Sequence, residues 1–221
     1  MPPSFSTHQN FLDQALDRRP LMMPPQTLLS KAIASMSEAG VSYTLIVEQQ
    51  HLLGIITERD VVKFTANQMA LPGVTLSQVM TQDLITVCCD RVSNIFDLLT
   101  VLRSHKIRHL PITDEQGQFL GVITPESLRA ILQPADLLQV RRIADIMIAQ
   151  VTTALPTTSV FQIAQQMASD RKSCIIICQS PTPTQQIPIG MITERDMVKL
   201  ATTPLDLAQT PAAAVMSRPL L

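Results

Sequence analysis

Thr57 and Asp60 stand three residues apart in Gly54-Ile55-Ile56-Thr57-Glu58-Arg59-Asp60. Thr193 and Asp196 repeat the spacing in Gly190-Met191-Ile192-Thr193-Glu194-Arg195-Asp196. Between them lies Gly121-Val122-Ile123-Thr124-Pro125-Glu126-Ser127, in which Ser127 replaces the carboxylate. A hydroxyl that opens a helix lies beside free N–H groups and the positive end of the helix dipole, which suits a phosphate. An ionised carboxylate in the first turn accepts through two oxygens and can take both hydroxyls of a ribose cis-diol. Arg59 adds a cation able to meet phosphate oxygens. Thr-x-x-Asp is also nearly a capping box, which needs no ligand. Both readings stay open at the level of the residues. Ser127 separates them, because it keeps the helix signal and loses the diol signal.

The glycines are 67 and 69 residues apart, so a unit of that length recurs. In the first copy Leu21-Met22-Met23 is a short extended stretch stopped by Pro24-Pro25. Leu28, Leu29, Ala32, Ile33 and Met36 then mark an amphipathic helix, with Thr27 as its N-cap and Gly40 at its end. Tyr43 to Val47 and Leu52 to Ile56 read as strands around a polar turn, and a helix follows from Thr57 to about Ala70. The second copy places its short strand at Leu84 to Val87, its helix at Val92, Ile95, Phe96 and Leu99, and strands at His109 to Ile112 and Phe119 to Ile123. Its second helix runs from Pro125 to about Leu132. The third runs from Val151, with a helix carrying Val160, Ile163, Ala164 and Met167 and a strand from Cys174 to Cys178. Gln179 to Gln186, containing Pro181 and Pro183, is expected to be an exposed mobile loop before the strand at Gly190 to Thr193. Glu194 to about Leu200 is the last full helix. Each unit is β-α-β-β-α.

Ser77-Gln78-Val79-Met80 leads into the second unit, and Ala212 to Leu221, with Val215-Met216, resembles it. The chain is therefore expected to be part of a longer protein and to stop at the start of a fourth unit. The expected divisions are 1–13 as a lead-in, 14–74, 75–135 and 136–208 as three repeats, and 209–221 as the truncated start of a fourth.

At 221 residues with 46% hydrophobic but only 3% aromatic side chains, the core must be built of Leu, Ile, Val, Met and Ala. The 11 methionines are read as gap fillers in that core. Net charge is −1, with no block of like charges and no nucleic-acid motif, so nothing favours nucleic acid or an anionic membrane. No apolar run reaches the roughly 18–20 residues of a membrane span, and Met1 to Ser6 lacks the regions of a signal peptide. A soluble, cytoplasmic protein is expected. Cys88, Cys89, Cys174 and Cys178 lack zinc-type spacing and read as reduced thiols, and His8, His51 and His105 lack ligand spacing too. No metal site or cofactor is expected.

The Gly-h-h-Thr-x-x-Asp pattern, the β-α-β-β-α order and Lys106-Ile107-Arg108-His109-Leu110-Pro111-Ile112 ahead of the second copy resemble the cystathionine-β-synthase-type repeat, or CBS domain. The resemblance covers about residues 14–205. It implies an α/β fold of tandem repeats in which the first two pack as a pseudo-twofold pair and the third is unpaired within the chain. It implies that such pairs bind adenosine-containing ligands: AMP, ADP or ATP, with or without Mg, or S-adenosylmethionine. The Asp would bind ribose and the Thr would lie by the phosphates. Carried over by position, nucleotide binding would use Thr57, Arg59 and Asp60, with Ile85, Thr86, Arg108 and His109 on the other wall. Thr124 and Ser127, against the region of Met22 and Tyr43, would form a cleft weakened by the missing Asp. Thr193 and Asp196 would form a half-built site awaiting a fourth repeat.

A regulatory sensor is the function this implies, transmitting only the ligand's differential affinity for two arrangements. Its effector would lie C-terminal to these residues, in a bacterial signalling protein, with a transporter or a metabolic enzyme open by the same resemblance. The alternative is a ligand-free structural or dimerisation module, completed by a homodimer or by a fourth repeat. Catalysis is not expected. No G-x-S-x-G, P-loop, HExxH or paired Cys/His arrangement is present, and Glu58 and Glu194 read as helix-dipole partners.

Overall fold

The computed structural model describes residues 7–49, 51–131, 147, 150–182 and 185–218. Expectations placed on residues 1–6, on Gln50, on Leu132 and the 135/136 repeat boundary, on Pro183 and on 219–221 lie outside the described residues.

Each repeat builds one small sheet. The first is β1 (Met22–Met23), β2 (Tyr43–Glu48) and β3 (His51–Thr57); the second β4 (Val87–Cys88), β5 (Leu110–Thr113) and β6 (Phe119–Ile123); the third β7 (Thr153–Ala154), β8 (Cys174–Thr182) and β9 (Gln185–Thr193). In all three the short first strand runs parallel to the second. The second sheet's short strand pairs Val87 with Ile112 and Cys88 with Thr113, so it begins at Val87 rather than at Leu84.

The helix between the first two strands of repeat 1, α2 (Leu29–Ala39), buries Leu29, Ala32, Ile33 and Met36, the i, i+3, i+4, i+7 stripe of an amphipathic helix. Gly40 ends it at φ 64°, where a side chain would be strained. Thr27 does not cap it as expected. Leu28 is the N-cap and makes no side-chain cap bond. The chain at 74–76 takes over, with Leu29 N–H donating to Val74 O at 2.8 Å and Leu76 N–H to Thr27 O at 2.9 Å. The helix after β3, α3 (Glu58–Ala66), stops short of Ala70 because Gln68 takes φ 52° and Met69 N–H turns back to Phe64 O.

The loop expected at Gln179 to Gln186 is instead the outer part of a hairpin. Gln179 pairs with Ile187 and Thr182 with Gln185. Register shifts at Ile177/Cys178 and Gln179/Thr182 place Pro188 opposite Cys178, the kind of irregularity at which a strand accepts proline.

The chain packs as two units. One holds Met1–Pro25, Leu45–Ile55 and Met80–Ile146; the other holds Gln26–Thr44, Ile56–Val79 and Met147–Leu221. Within the first, the strands of repeats 1 and 2 exchange contacts with each other's opening segments in a pseudo-twofold pattern. Ile55 of β3 bridges Thr81, ahead of β4 in repeat 2, while Val122 of β6 bridges Asp17, ahead of β1 in repeat 1. The strand glycines permit this approach. A Cβ on Gly54 would meet Met80 Sδ at 2.7 Å and Thr81 O at 2.9 Å; one on Gly121 would meet Asp17 O at 2.6 Å. The first unit's core joins Leu12 and Ala15 of α1 (Thr7–Ala15) to Leu98 and Leu102 of α5 (Ile95–Ser104), Leu110, Ile112, Ile123 and Leu128 of α6 (Pro125–Ile131).

In the second unit, α3 packs on the third repeat's helices α7 (Val160–Asp170) and α8 (Glu194–Leu200), and α2 also meets α8. Val62 joins Val160, Ile163, Met167, Ile175, Ile177, Ile192, Met197 and Met216 in one core. Burying each such side chain contributes about 1.5–3 kcal/mol. The third repeat, expected to be unpaired, thus has its helical face covered by the first repeat. Its glycine repeats the lead-in contact: a Cβ on Gly190 would meet Met216 Sδ at 2.6 Å and Ser217 O at 3.0 Å, and Met191 bridges Ser217. Residues 212–217, with the short helix α9 (Ala212–Val215), therefore do for repeat 3 what residues 76–81, with the short helix α4 (Leu76–Val79), do for repeat 1. The core is aliphatic and methionine-rich, with Tyr43 and Phe64 its buried aromatics among the described residues.

Candidate ligand site at the repeated helix starts

At all three motifs the strand ends and the helix begins within one residue, so the third residue of the helix folds back on the strand's last N–H. At α3, Thr57 N–H and Thr57 Oγ1 both donate to Asp60 Oδ2, at 3.0 and 2.8 Å. At α8, Thr193 N–H and Oγ1 donate to Asp196 Oδ2 at 2.8 and 2.7 Å, and Asp196 N–H returns to Thr193 Oγ1 at 3.3 Å. At α6, Thr124 N–H donates to Ser127 Oγ at 3.0 Å and Ser127 N–H to Thr124 Oγ1 at 3.1 Å. A single side-chain oxygen therefore closes the box, and serine supplies it as well as aspartate does.

The carboxylates thus have capacity beyond the cap. Each spends Oδ2 on it. Oδ1 of Asp60 takes the exposed Lys63 ammonium at 3.1 Å, and Asp60 is itself 14% exposed. Oδ1 of Asp196 takes no hydrogen bond among the described residues. Such an oxygen, beside a helix start, can accept from a hydroxyl pair.

Arg59, expected to meet phosphate oxygens, holds an ion pair through its Nε. Its Nε donates to Glu194 Oε1 at 3.2 Å, and Arg195 Nε donates to Glu58 Oε1 at 3.3 Å. The two bonds are mirror copies, each linking the first residue of one helix to the second residue of the other. Glu58 and Glu194 are buried, with 5% and 3% of their surface exposed, so the arginines reach in from the rim. The backbone repeats the symmetry, as Glu58 N–H donates to Ser42 O and Glu194 N–H to Ser173 O, both at 2.9 Å. Glu58 and Glu194 are hence structural partners across the helix interface rather than simple dipole partners. The recurrence of Glu-Arg in copies 1 and 3, against Pro-Glu in copy 2, was a visible signal of which repeats share that interface.

The other candidates lie in the unit that holds the second repeat. Ile85 is half-buried against that unit's core and Thr86 is exposed. Arg108 and His109 are half-buried, and each has an interaction of its own. Met22 is half-exposed and Tyr43 buried. All four cysteines are free thiols. Burial pushes the Cys178 thiol up, and burial with the Asp90 charge does the same for Cys89. No described helix is long and apolar enough to cross a membrane.

Known proteins match this arrangement. The family model "CBS domain" matches residues 13–67, 76–133 and 143–202. Protein MJ1225 of Methanocaldococcus jannaschii, proposed as an archaeal homologue of g-AMPK, superposes with a TM-score of 0.80 over 95% of this chain and 82% of its own, at 18% identity. That likeness is one of fold. A homoserine O-acetyltransferase of Methanococcus vannielii is 30% identical over 101 residues, 45% of this chain and 20% of the relative. The uncharacterised protein MK0525 of Methanopyrus kandleri is 33% identical over 107 residues, 48% of this chain and 53% of the relative. The chain spans only part of the length of these curated relatives. Three matched copies, each with its capped helix start, show that the chain belongs to the CBS-domain family.

Proposed function

We propose that this chain is a regulatory module that binds an adenosine-containing ligand, AMP, ADP, ATP or S-adenosylmethionine, through Thr57 and Asp60. One observation carries the reading. Ser127 closes its capping box without a carboxylate, so the second oxygen at Asp60 and at Asp196 is surplus to capping. A ribose diol is the chemistry that oxygen fits. Thr193 and Asp196 form a second site of the same kind. Ile85, Thr86, Arg108 and His109 are assigned to ligand contact by family resemblance, each open to its own substitution. Arg59 holds Glu194 through Nε, and its terminal N–H groups are assigned to phosphate contact.

Binding would bias an effector that lies in a separate domain of a cytoplasmic, bacterial signalling protein, and catalysis is not assigned to this chain. The ligand-free structural module remains the second reading, favoured by capping boxes that close on their own groups. Equilibrium binding of the four ligands to the full chain separates the two. Saturable binding that weakens in Asp60→Ala supports the sensor. Equal, negligible binding in both, with concentration-dependent association, supports the module.

A further inference from the structure

The second repeat carries a cluster that nothing above uses. Cys88, Cys89 and Asp90 are consecutive, and their Sγ, Sγ and a carboxylate oxygen all lie within 4.8 Å of one another. Adjacent side chains on a strand point to opposite faces, so this convergence has to be built. Cys88 is the last residue of β4, held by its pairing with Thr113. Cys89 opens a 3-10 turn over Cys89–Arg91, closed by Val92 N–H to Cys89 O at 3.2 Å, and it packs on the repeat's core. The break from strand to turn brings both thiols to one carboxylate oxygen. Cys88 Sγ lies 3.7 Å and Cys89 Sγ 3.6 Å from Asp90 Oδ2.

We propose that Cys88, Cys89 and Asp90 form a three-ligand site for a thiophilic divalent cation of the zinc class, with its fourth position open. The geometry favours it. A tetrahedral ion with metal–sulfur bonds of about 2.3 Å and metal–oxygen bonds of about 2.0–2.2 Å requires sulfur–oxygen edges of about 3.5–3.7 Å. The two observed edges, 3.6 and 3.7 Å, fall in that range before any ion is added. An S2O donor set selects zinc and cadmium over magnesium or calcium. Binding exchanges two S–H protons for two metal–sulfur bonds, with no change of oxidation state. The site lies one residue, Val87, beyond Ile85 and Thr86, so a bound ion would fix β4 beside two proposed ligand contacts.

The test uses the full chain, reduced and metal-free, titrated with Cd2+ and read by the thiolate-to-cadmium charge-transfer band. Iodoacetamide alkylation is mapped by mass spectrometry in parallel. The site predicts saturation near one ion per chain, release of about two protons, and protection of Cys88 and Cys89 but not of Cys174. Cys88→Ser or Cys89→Ser should each weaken binding by about tenfold or more, and Asp90→Asn by a smaller factor. The paired change Cys174→Ser with Cys178→Ser should leave it unaltered. An undiminished band in Cys88→Ser and Cys89→Ser, or equal alkylation of Cys88 and Cys89 with and without cadmium, overturns the assignment.

Discussion

Replacing Arg59 with Met keeps the length of the side chain and removes the cation that faces Glu194. The carboxylate is 3% exposed, so water cannot substitute for the lost guanidinium at the carboxylate end. Breaking a fully buried pair in this way costs about 3–5 kcal/mol. Arg59 is itself 37% exposed, which screens the pair and brings the expected cost to about 1–3 kcal/mol. For a chain of this size that lowers Tm by roughly 2–12 °C. The double variant Arg59→Met with Glu194→Gln removes the charge as well as its partner. It should recover part of the loss, with a coupling energy of about 1 kcal/mol. The assay is urea and thermal unfolding of the four proteins in the cycle, with Arg195→Met and Glu58→Gln as the mirror cycle. Arg195 is 59% exposed, so the mirror coupling should be smaller. Additive effects in both cycles would refute the claim that these exchanged pairs help hold the first repeat's helix to the third's.

The strand glycines should rank by what their Cβ would strike. Gly121→Ala, aimed at the Asp17 carbonyl at 2.6 Å, should lower stability more than Gly54→Ala or Gly190→Ala, whose nearest atoms are flexible methionine sulfurs. Overpacking of this kind costs about 1–3 kcal/mol, readable by urea unfolding. Ser127→Asp should keep the α6 capping box and change stability by less than about 0.5 kcal/mol, since one oxygen already closes it. Cys178, whose thiol is pushed up by burial, should stay protonated further into the alkaline range than an ordinary thiol and alkylate more slowly than Cys174 at the same pH.

The repeat itself was legible because each copy must punctuate the same strand–helix junction. Gly-h-h-Thr places a close backbone approach, a buried strand end and a helix cap in fixed order. The glycine, however, does not reveal who approaches it. Leu16-Asp17, Met80-Thr81 and Met216-Ser217 share little sequence beyond two methionines, yet each lies against the strand glycine of a repeat. The helix α1 was not foreseen: Leu12 and Ala15, which it buries at i, i+3 spacing, fall outside the repeated pattern. The long β8–β9 hairpin was hidden by its own composition. Its outer half is polar and proline-bearing because it is exposed, and exposure there does not break the ladder. The ion pair of Arg59 was not legible for a different reason. A cation two residues after a helix-capping threonine serves a phosphate or a carboxylate equally well. The buried Glu194 opposite is what shows the carboxylate partner.

Asp60→Ser makes the substitution the second repeat already carries, keeping a capping oxygen while deleting the surplus one. The direct test is therefore calorimetric titration of AMP and of its 2′,3′-dideoxy analogue into the native chain and into Asp60→Ser. Hydrogen bonds to a charged acceptor contribute about 1.5–3 kcal/mol. The native chain should thus prefer AMP over the analogue by about tenfold or more, and Asp60→Ser should lose that preference while keeping its Tm within a few degrees. A native chain that binds both nucleotides equally, or an Asp60→Ser chain that still discriminates, would contradict the account.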